Sequence, residues 1–231
     1  MTAILSNLQA VRATINQAAL LARRDAAKIT LLAVSKTVPA KVLREAYSVG
    51  QKGFGENYVQ EALDKMIDLS DLPLEWHFIG PLQSNKTRSI AENFSWVHSV
   101  DRLKVAQRLS EQRPAHLPPL NVCLQINTSG ESTKGGVALD EAEDIARTIS
   151  LLPRLKLRGL MTIPAPAHEL FVQRVPYAQL HELLGRLNAI GLNLDTLSMG
   201  MSHDLTAAVL EGATIVRVGT AIFGNRTQGG I

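Results

Sequence analysis

The chain has a single cysteine, Cys123, and with no second thiol it can form no intrachain disulfide. A disulfide-stapled secreted scaffold is thereby excluded, and the fold must be held by its core. Aromatic residues make up only 4% of the sequence, and no dense Lys/Arg run is interleaved with them. The net charge of +3 is slight and spread along the chain. Both facts argue against a nucleic-acid surface. No apolar run approaches the roughly 18 residues needed to span a bilayer. The opening MTAILSNLQAVRATINQAALLARRDAA lacks the basic start, apolar middle and cleavage site of a secretory signal. The expectation is a cytoplasmic protein with no nucleic-acid or membrane partner.

What remains is an ordinary globular composition, 231 residues with 45% hydrophobic, enough for one large core. The opening segment reads as an amphipathic helix over 3–25, with Ile4, Leu8, Val11, Ile15 and Leu20 near helical spacing. Eight short apolar runs follow: ITLLAVS (29–35), KGFG (52–55), EWHFI (75–79), SWVHS (95–99), LNVCLQI (120–126), LRGLMTI (157–163), DTLSM (195–199) and TIVRV (214–218). Between them lie helical patterns such as Val42, Leu43, Ala46, Val49 and Leu139, Ala142, Ile145, Ile149. Strands alternating with helices imply parallel pairing, and parallel strands are covered on both faces. Eight such units predict a single (β/α)8 TIM barrel with an extra N-terminal helix, one domain over 1–231. A doubly wound open sheet is the alternative.

Active residues of such barrels sit at the carboxyl ends of the strands. There the sequence reads SKT (35–37), GENY (55–58), HFIGPLQSNK (77–86), INTSGESTKGG (126–136), SMGMSHD (198–204) and RVGTAIFG (217–224). Lys36 shares a strand face with Leu32 and Val34 by two-residue alternation, which aims it at the barrel mouth. A solvent-poor setting there would favour the neutral amine, able to form a Schiff base with an aldehyde. A lysine snorkelling to water is the equal alternative. After the seventh strand Gly200 lets the backbone approach closely, Ser202 can act as N-cap and donate its hydroxyl, and Asp204 falls in the first helical turn, where it suits the dipole; after the eighth, Gly219 and Thr220 offer backbone N–H groups and a hydroxyl, so that the two loops form anion cups. Two ordinary capped loops are the plainer reading. Arg217 interrupts an apolar strand, and arginine is almost never buried without a partner. Lysine, anion cups and inward arginine together suit a phosphorylated aldehyde, either pyridoxal 5′-phosphate or a sugar phosphate in an aldolase.

AVSKT, FGENYVQE, LEWHFIGPLQSNK, LRGLMTIPAP and MGMSHD…VRVGTAIFG together resemble the YggS/PROSC family, the pyridoxal phosphate homeostasis proteins, over nearly the whole chain. The resemblance implies a single barrel like the N-terminal domain of bacterial alanine racemase. It implies that Lys36 carries pyridoxal 5′-phosphate (PLP) as a covalent aldimine, a Schiff base. Ser202, Gly219 and Thr220 would hold the phosphate, and Arg217 would face the pyridine nitrogen. Asn57 and His77 match positions near the cofactor ring, and Met199 one beside the ring or phosphate. Thr206 stands where relatives carry an acidic residue. An arginine beside the ring nitrogen disfavours its protonation, and an unprotonated pyridine is a poorer electron sink. The implied role is vitamin B6 homeostasis and amino- and keto-acid balance without turnover, with PLP-dependent apo-enzymes as acceptors. A complete barrel has no open sheet edge, so a monomer is expected.

A PLP-dependent racemase or a Schiff-base aldolase is the competing class. A racemase of this type takes its second base, a tyrosine, from a further β-rich domain, yet the sequence stops seven residues after Gly224. Of Tyr47, Tyr58 and Tyr177, only Tyr58 lies near a strand's carboxyl end. An aldolase is poorly served by the few acids there, Glu56 being the clearest. Lys134 could meet an incoming anion or belong to a solvated loop, and Ser84, Asn85 and Lys86 could bind a second anion. His98, His116, His168 and His181 show no metal-ligand spacing, and His203 is expected to face solvent. Cys123 is read as a core residue, and Trp76 and Trp96 as packing between barrel and helices.

Overall fold

The computed structural model describes residues 3–131 and 135–224. Helix α1 (Ala3–Leu21) and a single 3-10 turn (Ala26–Lys28) precede β1 (Thr30–Val34) and α2 (Ala40–Ser48). Then follow β2 (Gly53–Glu56), α3 (Val59–Asp68), β3 (Glu75–Phe78), α4 (Thr87–Asn93), β4 (Trp96–Val100) and α5 (Leu103–Gln112). The second half holds β5 (Leu120–Gln125), α6 (Ala142–Ser150), β6 (Leu155–Met161), α7 (Leu170–Ala189), β7 (Thr196–Ser198), α8 (Leu205–Leu210), β8 (Ile215–Val218) and α9 (Thr220–Phe223). The eight strands pair in sequence order and close, β1 lying parallel to β8 from Thr30↔Ile215 to Ala33↔Val218. This is the predicted (β/α)8 barrel, and the open sheet is excluded.

Strand alternation divides the core. Ala33, Phe54, Trp76, Phe78, Val97 and Val122 belong to the large cluster that includes the helices, while Leu32, Trp96, Cys123, Met161 and Ile215 form a second cluster inside the barrel. Trp96 therefore departs from expectation and lies within the barrel. There its ring stacks on the inward His77, with centroids 5.5 Å apart. Burial raises the Cys123 thiol to about 12, which leaves it an inert core residue. Gly159 is fixed by close approach, since a Cβ there would sit 1.8 Å from the Thr196 carbonyl oxygen.

Helix α1 ends four residues earlier than its pattern predicts. Arg23 adopts a left-handed φ of 55°. The Arg23 and Arg24 N–H groups return to the Leu20 and Ala19 carbonyls, a Schellman ending. The buried face carries Ile4, Leu8, Val11 and Ile15, but Ala18 and Ala19 complete it and Leu20 is exposed. The helix is fastened beside the end of the barrel sequence. Asn7 donates to the Ile222 carbonyl, and Arg24 to those of Val209 and Ala213.

Candidate functional site

Six expected residues, Lys36, Asn57, Ser202, Arg217, Gly219 and Thr220, line one cavity of about 250 Å³ at the carboxyl ends of β1, β2, β7 and β8. Ile79 and Ile163 add apolar wall, and His203 adds a third basic side chain. No carboxylate and no tyrosine is among the described lining residues. A cavity with this wall suits an anion.

The chain around Lys36 is clamped from below. Lys65 of α3 is buried, and its ammonium meets Glu56 at 2.7 Å, Glu61 at 2.6 Å and the Ser35 carbonyl at 2.7 Å. Ser35 Oγ donates to Glu56 Oε1 at 2.6 Å, and the Thr37 N–H donates to Glu61. Thr37 itself holds a φ of 63°, a left-handed conformation that costs a β-branched residue about 1 kcal/mol or more. Both neighbours of Lys36 are thus tied to one buried ion cluster. Burial raises the Glu56 carboxyl, and Lys65 opposes that rise. Glu56, the clearest acidic candidate at a strand end, is therefore spent on this clamp. Sequence reading missed Lys65, although Glu61 and Lys65 stand at the favourable i,i+4 spacing.

Asn57 is set by Gly80. A Cβ on Gly80 would fall 2.3 Å from the Asn57 carbonyl oxygen. Asn57 Oδ1 is buried and meets no hydrogen-bond donor, the condition of a group kept for a ligand. Arg217 is 4% exposed and donates to Ser198 Oγ at 2.7 Å and to the Thr162 carbonyl at 2.8 Å. A guanidinium has five N–H donors, so two such bonds leave donors for the cavity. Burial lowers its affinity for the proton, and the neighbouring Tyr177 and Asp204 restore some of it.

The loop before α8 is built differently from expectation. The residue flanking that helix is Asp204, not Ser202. The Asp204 carboxylate turns back to accept the Met201 N–H at 2.6 Å and lies 3.3 Å from His203 Nε2. Ser202 is therefore relieved of capping and stands on the cavity wall. Gly200 holds a φ of 94°, and a Cβ there would strike Ala208 at 2.5 Å. On the β8 side Gly219 flanks α9, whose first N–H groups have no carbonyl to meet within the helix. His203 exposes half its side chain yet still borders the cavity.

Two expected residues lie elsewhere. Met199 is fully buried in the cluster shared with the helices, because Ser198 takes the inward position and alternation turns Met199 outward. His77 does point inward, but below the cavity, stacked on Trp96 and bonded to His98 at 2.9 Å. His98 is likewise interior. Lys86, with Tyr58 and Gln83, borders a neighbouring cavity of about 350 Å³ that shares Asn57, whereas Ser84 and Asn85 are not on its wall. Lys134 lies outside the described residues.

The profile of the family described as "Alanine racemase, N-terminal domain" matches residues 6–227. Fold and site thus define a parallel barrel of that class with a lysine and a buried arginine at its mouth. A protein of Pseudomonas aeruginosa named pyridoxal phosphate homeostasis protein is 61% identical over 229 residues, covering 99% of this chain and 98% of its own. One of the same name from Escherichia coli is 52% identical over 229 residues, with 98% of each covered. The solved structure of PipY of Synechococcus elongatus with PLP bound is 37% identical with a TM-score of 0.84, covering 96% of this chain and all of that one. The chain belongs to the YggS/PROSC family.

Proposed function

We propose that this protein binds PLP in the barrel mouth, joined covalently through Lys36, and serves PLP homeostasis as a carrier without turnover. One observation carries the reading. Lys36 and the buried Arg217 share a small cavity whose described wall bears three basic side chains and no carboxylate. When bound, the cofactor supplies an electrophilic aldehyde carbon and a phosphate anion. The Lys36 amine is the group that takes the aldehyde, with release of water. Ser202, Gly219 and Thr220 receive the phosphate, and the Asn57 amide meets a polar ligand atom. Arg217 faces the ring nitrogen and, as a cation, disfavours its protonation.

The same wall supports a carrier over an enzyme. Abstraction of a substrate proton needs a positioned base on each face for racemisation, and the described wall residues include neither carboxylate nor tyrosine beside Lys36. The homeostasis role is carried over from the names of the relatives. We further read residues 1–231 as one binding domain, monomeric and cytoplasmic, handing PLP to PLP-dependent apo-enzymes. Among the described residues no helix is long and apolar enough to cross a membrane.

Calorimetric titration with PLP, with pyridoxal and with a triose phosphate tests this reading. PLP should bind most tightly, and loss of its phosphate should weaken binding at least about tenfold, or 1.4 kcal/mol. Tighter binding of the sugar phosphate would return the aldolase reading to first place.

A further inference from the structure

A path of buried side chains crosses the barrel interior beneath Arg217. Arg217 Nη1 donates to Ser198 Oγ at 2.7 Å. Ser198 Oγ lies 2.7 Å from His98 Nδ1, and His98 Nε2 lies 2.9 Å from His77 Nδ1. His77 Nε2 then stands 3.5 Å from Glu75 Oε2, near enough for a charge contact but without a hydrogen bond of its own. The other Glu75 oxygen accepts from Trp96 Nε1 at 2.9 Å. Ser198, His98 and His77 are sealed from solvent. Glu75 is half exposed and reaches a cavity of about 530 Å³ at the opposite end of the barrel, beside Arg12 and Lys52. The path joins the barrel floor to its mouth.

Arg217 dictates the proton order along it. A guanidinium only donates, so Ser198 Oγ accepts from it and has one proton of its own to give. Given to His98 Nδ1, that proton leaves the His98 hydrogen on Nε2. His98 Nε2–H then donates to His77 Nδ1, and the His77 hydrogen falls on Nε2, facing the Glu75 carboxylate. The reverse order fails twice. It strands the Ser198 hydroxyl hydrogen in a fully buried site, and it turns the His77 lone pair towards a carboxylate. The first carries the desolvation cost of an unmade hydrogen bond, and the second sets a lone pair against a negative charge. In the favoured order every dipole points its negative end at Arg217 and its positive end at Glu75. Aligned bonds of this kind polarise one another and stabilise a cation at one end and an anion at the other. The remaining charged and titratable groups that bear on the path are Asp204, Tyr177 and Cys123 near Arg217, and Arg158 near Glu75.

We propose that Ser198, His98 and His77 are positioning residues for Arg217, a one-way relay through which Glu75 on the barrel floor helps hold the guanidinium fixed at the mouth. Its functional consequence rests on the reading of Arg217 as a cofactor-facing cation, whereas the proton order concerns the ligand-free protein alone. Long-range 1H–15N NMR spectra of that protein should show both imidazoles neutral at neutral pH, each with its hydrogen on Nε2. Glu75→Gln tests the direction. The Glu75 carboxylate accepts from Trp96 and presents its second oxygen to His77 Nε2 at 3.5 Å, whereas the isosteric amide has only one acceptor oxygen to offer the two. In the variant either the His77 Nε2–H signature or the hydrogen-bonded indole signal of Trp96 should be lost. PLP affinity should fall about fivefold or more, although Glu75 lies at the far end of the barrel. A hydrogen on Nδ1, or a doubly protonated imidazole in the wild type, would overturn the relay, and unchanged PLP affinity in Glu75→Gln would overturn its coupling to the mouth. Nε2 hydrogens in a wild type that fails to bind PLP would support the relay and refute the preceding proposal instead.

Discussion

His98 makes the protein's acid stability a sharp test of this interior. Its imidazole is sealed in the barrel, and burial holds its pKa well below the ordinary value, with His77 and the Arg217 cation adding to the effect. His77 is lowered too, chiefly by burial, with Glu75 pulling the other way. In the unfolded chain both titrate near 6.5. Below that pH the unfolded state binds more protons than the folded one. Stability is therefore full above about pH 7 and is lost as the pH falls from about 6.5 towards the folded pKa values. Each pH unit in that window is worth about 1.4 kcal/mol for a histidine that stays neutral when folded, so His98 alone accounts for about 2 kcal/mol between pH 7.5 and pH 5. Urea unfolding of wild type and His98→Gln across this range isolates the effect. The wild type should lose about 2 kcal/mol more than the variant as the medium is acidified. Glu56, raised by burial, gains stability as the pH falls, but it is present in both proteins and cancels. Parallel stability curves for the two proteins would refute the claim that His98 is buried in its neutral form.

Other consequences follow from particular contacts. Lys65→Met leaves Glu56 fully buried without its cation, so denaturant unfolding should show a loss of about 3–5 kcal/mol. Gly159→Ala drives a methyl into the Thr196 carbonyl and should destabilise by about 3 kcal/mol or more, seen as a fall in the urea midpoint with an unchanged m-value. Gly80→Ala displaces Asn57 and should weaken PLP binding about tenfold in a calorimetric titration, while Gly185→Ala, with open space around it, leaves binding unchanged.

The barrel was legible because each strand is a short apolar run and each helix carries its own period. Lys36 and Arg217 were legible for a related reason: a charge within or at the end of an apolar strand needs a purpose, and two-residue alternation says which way it points. The same alternation, followed one residue further along β7, places Ser198 inward and Met199 outward, against the family analogy. Trp96 was misread because a bulky ring is ordinarily housed between layers, whereas closure of the barrel stacks it on the inward His77 of the neighbouring strand. The path from Arg217 to Glu75 was beyond a linear reading. Its members come from β3, β4, β7 and β8, and only closure of the barrel sets His98 against Ser198, a hundred residues later. Asp204 shows a finer limit. Its sequence position suits a helix start, but only the folded loop reveals that its carboxylate turns back to Met201.

The central claim is tested most directly at Lys36. Purified protein is mixed with PLP, its visible spectrum is recorded beside that of Lys36→Ala, and both are then reduced with borohydride and mapped by peptide mass spectrometry. The account predicts a visible band in the wild type alone and a reduced pyridoxyl adduct on the peptide containing Lys36. No band, or adducts scattered over surface lysines with equal labelling of Lys36→Ala, would contradict it.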